Sequence, residues 1–198
     1  CAAGAISAFA LTEENVGSDP ARLSTQAVLN EEGDAYILNG EKLWCTNGTM
    51  AELMVVMASN PETQKISAFI VESSWEGVSV AHRCRFMGLR ALANGVIKFD
   101  NVRVPKENLI GKEGKGLKIA LITLNTGRLS LPATCVGTSK LAMNTCRQWS
   151  QDRIQWGVPI GKHEAIAHKL TDMGSTIYAM ESVSVLANRL AERKGYDI

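Results

Sequence analysis

The sequence predicts an α+β fold: an antiparallel β-barrel or sandwich over residues 1–112, then a long helical hairpin over residues 113–198. Two observations predict it. Short runs rich in β-branched and aromatic residues fill the first part, parted by turn residues, and no helical pattern alternates with them. From about Gly116 onward the apolar spacing changes to steps of three and four and holds to about Lys194.

The strand runs are AISAFAL, STQAVLN, DAYILN, EKLWCT, ELMVVMAS, KISAFIVE and GVIKFDNVRV. Turn chemistry separates them at Glu32-Gly33-Asp34, Asn39-Gly40, Asn47-Gly48 and Asn60-Pro61. Asn39-Gly40, with two strand runs on either side, predicts a two-residue hairpin, because a type I′ turn needs positive φ twice. The first helix is expected from about Gly116 to Arg153, with Leu117, Leu121, Ile122 and Leu124 early and Leu141, Ala142 and Cys146 late. Pro132 inside it predicts a kink or an interruption, since proline donates no N–H and crowds the preceding turn. The second helix is expected from about Lys162 to Lys194. Its apolar stripe runs Ile166, Leu170, Met173, Ile177, Met180, Val183, Leu186 and Leu190. Gly157 and Pro159 in the linking QWGVPIG break the helical run. Such a hairpin is half of a four-helix bundle and leaves an apolar stripe bare. The chain opens at Cys1 rather than Met and stops just past a helical pattern, so a fragment of a longer, three-domain protein is expected.

Composition excludes several functions. A formal net charge of +1 sets up no basic field, which argues against nucleic acid. No run is read as a membrane span or signal peptide. Cys1, Cys45, Cys84, Cys135 and Cys146 show no CxxC spacing and read as reduced thiols. His82, His163 and His168 lack metal-ligand spacing, so no metal is expected.

One stretch asks for a ligand. In FALTEENVGSD, Phe9 to Asp19, a strand gives way at Thr12 to small hydrogen-bonding groups. That suits the edge of a flat polar cofactor, and equally a plain strand and turn. Trp44 and Thr46 flank Cys45, and strand alternation puts both on one face, with the cysteine a small filler pointing the other way. They suit a cofactor face, or a core tryptophan at a polar strand end.

Taken with LNGEKLWCTNG, FDNVRVPKENLIG, LNTGRLSLPA and DRIQWGVPIGKHEAI in this order, that stretch resembles the middle and C-terminal parts of an acyl-CoA dehydrogenase. The NTGR and RIQWG forms look most like the long- and very-long-chain branch. The resemblance covers nearly the whole chain and implies a β-barrel middle domain and half of a C-terminal helical bundle. It also implies FAD and the oxidation of an acyl-CoA to its trans-2-enoyl thioester: a base takes the α proton and the β hydrogen leaves as hydride. An electron-transfer flavoprotein would then reoxidise the flavin.

By resemblance, Phe9, Leu11, Thr12, Gly17, Ser18, Trp44 and Thr46 bind the flavin, and Ser18 also neighbours the pantetheine arm. Arg153, Gln155 and Trp156 would meet the FAD of a second subunit, which implies a homodimer or dimer of dimers with a shared site. A cation ending a helix is favoured by the dipole in any case. Asn125 and Arg128 would line the CoA and acyl channel. Glu164 stands where many relatives carry a glutamine, and an acid near pyrophosphate would repel it. Gly127 stands where one branch keeps its catalytic glutamate, so no catalytic residue is assigned and the base is expected further along the chain. Glu13 and Glu14 read as polar loop residues, and Lys112, Lys115 and Lys118 as a solvated face. The stretch ALANGV, Ala91 to Val96, departs from the family pattern, and hydrogen bonds expected there are missing or rebuilt. Two other readings stand beside the dehydrogenase: an oxygen-using sister (acyl-CoA oxidase or flavin monooxygenase), and a non-catalytic flavin- or CoA-binding scaffold. The compartment would be the cytoplasm in a bacterium and the mitochondrial matrix in a eukaryote.

Overall fold

The computed structural model describes residues 3–194, so Cys1 lies outside the described residues. The chain divides into two compact units, Cys1–Leu121 and Ile122–Ile198. The first is a curled seven-stranded sheet with order β1-β4-β2-β3-β7-β6, β5 lying on the other edge of β4. Its strands are β1 (Ser7–Ala10), β2 (Gln26–Leu29), β3 (Ala35–Cys45), β4 (Leu53–Ser59), β5 (Ile66–Glu72), β6 (Val78–Arg83) and β7 (Gly95–Pro105). Most ladders are antiparallel as predicted, but β1 runs parallel to β4, and so does the single β2 pair at Gln26 and Ser59. Alternation along a strand reports which face is buried, not which way the neighbour runs. Leu38, Met54, Val56, Phe69, Val71, Ile97, Phe99, Val102 and Val104 fill the core.

The predicted hairpin at Asn39-Gly40 is not formed. The two runs are one strand, β3, which pairs with β7 along nearly its whole length. Each half of the dipeptide does something else. The Asn39 side chain accepts from Asn101 N–H at 2.8 Å and donates to Asn101 Oδ1 at 3.2 Å, holding a bulge in β7 where Asn101 has φ 52. Gly40, at φ 147, lets Thr25 approach so closely that a Cβ would sit 2.6 Å from the Thr25 Cα. The hairpin turn lies one strand earlier: β2 and β3 meet around Gly33 at φ 71, with Asn30 N–H donating to Ala35 O. β6 went unread in the sequence because it is an edge strand with no fully buried residue, so no buried alternation marks it.

The second unit is a helical hairpin. α1 spans Gly116–Asp152, beginning in the first unit, and α2 spans Glu164–Lys194. α1 starts where Gly116 lies against β5, so close that a Cβ would meet Ser67 backbone carbon at 2.4 Å. Pro132 does not interrupt α1. The helices are antiparallel: Lys140 pairs with Glu181, and Asn188 Nδ2 donates to Leu129 O at 3.4 Å. Between them, the two-residue strands β8 (Ile154–Gln155) and β9 (Val158–Pro159) make a small ladder. Here both central residues carry positive φ, Trp156 at 49 and Gly157 at 79. The predicted bare stripe is present: Leu131, Leu141, Val183, Leu186 and Leu190 are exposed. One correction concerns membranes. By length and composition alone α1 is apolar enough to cross one, although only 11% of that window is buried.

Candidate functional site

In the β unit the chain after β1 lies along the second half of β3. Leu43 N–H donates to Thr12 O at 2.8 Å, and the Cys45 thiol donates to Phe9 O at 3.7 Å. Phe9, Leu11, Thr12, Trp44 and Thr46 therefore share one end of the sheet. The inward phase of β3 passes through Tyr36, Leu38 and Lys42, then slips to Cys45, with a register shift against β7 between Lys42 and Cys45. Trp44 takes up the slip at φ 54 and is thrown outward, 58% exposed. Cys45 is buried, and burial pushes its thiol up to about 11 against the pull of Lys42, so it is an inert filler as expected. Thr46, in the turn after β3, is exposed like Trp44. Both point away from the core, but a bulge and a turn put them there, not plain alternation.

Gly17 and Ser18 follow a tight loop closed by the mutual backbone bonds of Glu13 and Val16, and both are exposed. Leu11 is core, and its carbonyl, like that of Thr12, is already taken by the protein.

Two groups escaped the sequence reading. The first is Glu13, which lies in the loop after β1 as expected but is not solvated: it is 4% exposed, beside a fully buried Lys42. Lys42 Nζ donates to Glu13 Oε1 at 2.7 Å and to Leu11 O at 3.1 Å. Ser24 N–H and Oγ donate to Glu13 Oε2, and Thr25 N–H to Oε1. Burial by itself would raise the Glu13 carboxyl, but the Lys42 charge and these hydrogen bonds overcome it and hold it at about 2. Burial lowers Lys42 to about 8 against the attraction of Glu13, so both are ionised at neutral pH. This clamp ties the β1 end, the Ser24–Thr25 loop and β3 into one piece under Trp44. A Thr-Glu pair after an apolar strand, with a lysine two residues before a tryptophan, carries no periodicity, so nothing short of the fold reveals it. The second is Asn94, in the departing ALANGV stretch. Its Nδ2 donates to Trp44 O at 3.0 Å and to Thr46 Oγ1 at 3.1 Å. The stretch makes hydrogen bonds of its own.

The other predicted residues lie in the helical unit. Arg128 donates to Asn125 Oδ1 at 3.0 Å one turn away, and Arg128 is exposed. Arg153, Gln155 and Trp156 cluster at the β8–β9 hairpin, all exposed, with Trp156 set edge-on against His163 at 5.4 Å. Glu164 and the lysines Lys112, Lys115 and Lys118 are exposed. Arg128 also borders an apolar groove of about 710 Å³ between the two helices, lined by Leu131, Pro132, Met180, Val183 and Ala187. Leu131 and Val183 of the bare stripe belong to this groove. No three metal-ligating side chains gather among the described residues.

Sequence comparison matches residues 8–102 to the middle domain of acyl-CoA dehydrogenases and residues 114–196 to their C-terminal domain. The whole of α1 thus falls within the C-terminal domain match. A probable acyl-CoA dehydrogenase of Mycobacterium tuberculosis is 53% identical across 100% of this chain, which covers 31% of that protein. A mitochondrial very long-chain specific acyl-CoA dehydrogenase of Macaca fascicularis is 37% identical over 92% of the chain and 29% of its own length. The solved acyl-CoA dehydrogenase of Bacillus anthracis, complexed with FAD, superposes with a TM-score of 0.82 at 40% identity, covering 89% of this chain and 31% of that one. The chain spans about a third of the length of these relatives.

Proposed function

The chain belongs to the acyl-CoA dehydrogenase family, and from that premise we propose that it supplies the flavin ledge of an enzyme oxidising an acyl-CoA to its trans-2-enoyl thioester. The observation that carries this reading is Trp44: a large aromatic side chain turned out of the core at positive φ, next to Leu43, whose N–H binds the Thr12 carbonyl, and two residues before the exposed Thr46. An indole so placed covers the face of a flat ring, and the hydroxyls of Thr12 and Thr46 meet its polar edge. FAD, when bound, accepts the β hydrogen as hydride. The protein's share is to hold the ring rigid, and the buried Lys42–Glu13 clamp does so from beneath.

Gly17 and Ser18 extend the ledge toward the pantetheine arm, and Phe9 and Leu11 wall its base. On the helical unit, Asn125 and Arg128 serve the CoA and acyl channel, and Arg153, Gln155 and Trp156 the pyrophosphate of a second subunit's FAD, since a guanidinium fork fits phosphate oxygens. The partners under this reading are the acyl-CoA, an electron-transfer flavoprotein and a second copy of the chain. The setting is the cytoplasm of a bacterium or a mitochondrial matrix. Glu13 does not take the α proton: held at about 2 and locked to Lys42, it is too weak a base and has no exposed oxygen to offer.

The test is the visible spectrum of the full-length protein. A bound flavin that bleaches on adding an acyl-CoA supports the reading, and a protein purified and reconstituted without any flavin band sinks it. Rapid bleaching that air reverses without an electron-transfer flavoprotein would point to the oxygen-using sister enzyme.

A further inference from the structure

We infer that Asn94 is a positioning residue that presets the Thr46 hydroxyl as a hydrogen-bond donor toward the ring carried on the Trp44 ledge, an inference resting on the flavin reading above. Asn94 is 4% exposed, immediately before β7, and its own carbonyl accepts from Cys84 N–H at 2.9 Å, so it cannot drift. A backbone carbonyl only accepts. The 3.0 Å contact with Trp44 O therefore fixes the NH₂ end of the Asn94 amide toward β3. The amide has two hydrogens, and the second goes to Thr46 Oγ1.

That leaves Thr46 with a defined polarity. A hydroxyl owns one hydrogen and two acceptor positions. Asn94 fills one acceptor position, and no group among the described residues takes the hydrogen. Thr46 is exposed, so its hydrogen is available to an acceptor on the ledge.

Asn94 Oδ1 argues that this is not incidental packing. It is the buried side-chain oxygen or nitrogen without a hydrogen-bond partner among the described residues. An apolar side chain of similar volume would fill the space with no stranded acceptor. An amide with one end unsatisfied is favoured here only through what its other end holds, namely Trp44 O and Thr46 Oγ1.

The experiment uses the full-length protein and compares Asn94→Ala, Thr46→Val and the double variant with the unsubstituted protein. It measures FAD dissociation constants and the position of the flavin's long-wavelength band. Asn94→Ala and Thr46→Val each weaken FAD binding by roughly five- to tenfold, the scale of one lost hydrogen bond, and shift the band in the same direction. In the Thr46→Val background, Asn94→Ala adds no more than about a further twofold, as expected when two residues act through one contact. Should Asn94→Ala fail to fold, Asn94→Leu keeps the volume, removes the donor and is expected to behave in the same way. Loss above about twofold in the Thr46→Val background, or an unchanged band in Asn94→Ala, overturns the inference, because a merely structural residue acts regardless of Thr46. The two levels separate cleanly. If the unsubstituted protein binds no FAD, the flavin reading itself has failed. If it binds FAD and the Asn94 effect is independent of Thr46, only the Asn94 inference falls.

Discussion

The β unit and the helical hairpin each join distant segments with a lysine–glutamate pair, and the two pairs live in opposite surroundings. Lys42 and Glu13 have side chains 0% and 3% exposed and share four further hydrogen-bond contacts with Leu11, Ser24 and Thr25. Lys140 and Glu181 are 49% and 45% exposed. The curled sheet has an interior that can wall off a charge and must then satisfy it completely. Two helices enclose little interior, so their ion pair stays in water and many of their apolar residues stay bare. A unit with its own core can hold a rigid polar ledge, whereas the hairpin needs other surfaces to finish it.

The hardest blow to that contrast is Lys42→Met, which strands a buried carboxylate. It is expected to lower the unfolding free energy of the full-length protein by about 3–5 kcal/mol in urea denaturation. A loss under 1 kcal/mol would mean the clamp is not closed. Acid tests the same group next. The folded carboxyl of Glu13 sits at about 2 against an ordinary value of 4.5. A depressed carboxyl contributes stability that is complete above the ordinary value and lost as pH falls toward the folded one. The unfolding free energy from urea denaturation should therefore drop between pH 4.5 and 2, by about 3 kcal/mol in all, and Glu13→Gln should flatten that part of the profile.

Two glycines sharpen the contrast at smaller scale. Gly40→Ala forces a Cβ into Thr25 at a φ that side chains avoid, and about 2 kcal/mol of lost stability is expected. Gly157→Ala strains only the backbone, with nothing within 4 Å, and about 1 kcal/mol is expected by the same denaturation measurement. Smallest of all is Lys140→Ala. Breaking a half-exposed pair should cost under about 1 kcal/mol, and less in high salt.

Most elements were legible because they bury residues at a period that the chain displays. The α2 stripe from Ile166 to Leu190 and the strand runs of β1, β4, β5 and β7 are of this kind. β6 was not, since an edge strand buries too little to show a period. Asn39-Gly40 misled because the dipeptide marks positive φ without saying what needs it: here Gly40 makes room for Thr25, while two positive φ values in a row fall at Trp156-Gly157, where no such signal was read. Of the ledge, Thr12, Trp44 and Thr46 were visible as residue types suited to a ring. Glu13, Lys42 and Asn94 were not, because each acts on partners 11 to 50 residues away.

The sequence by itself determined the change from strands to helices near Gly116, the extent of both helices and the family to which the chain belongs. Those follow from local spacing and from runs of neighbouring residues. Only the tertiary structure decided that β3 continues through Gly40, that β1 lies parallel to β4, and that a buried ion pair and one amide hold the ledge. Those depend on which strands become neighbours, and hydrogen bonds across a sheet leave no period along the chain.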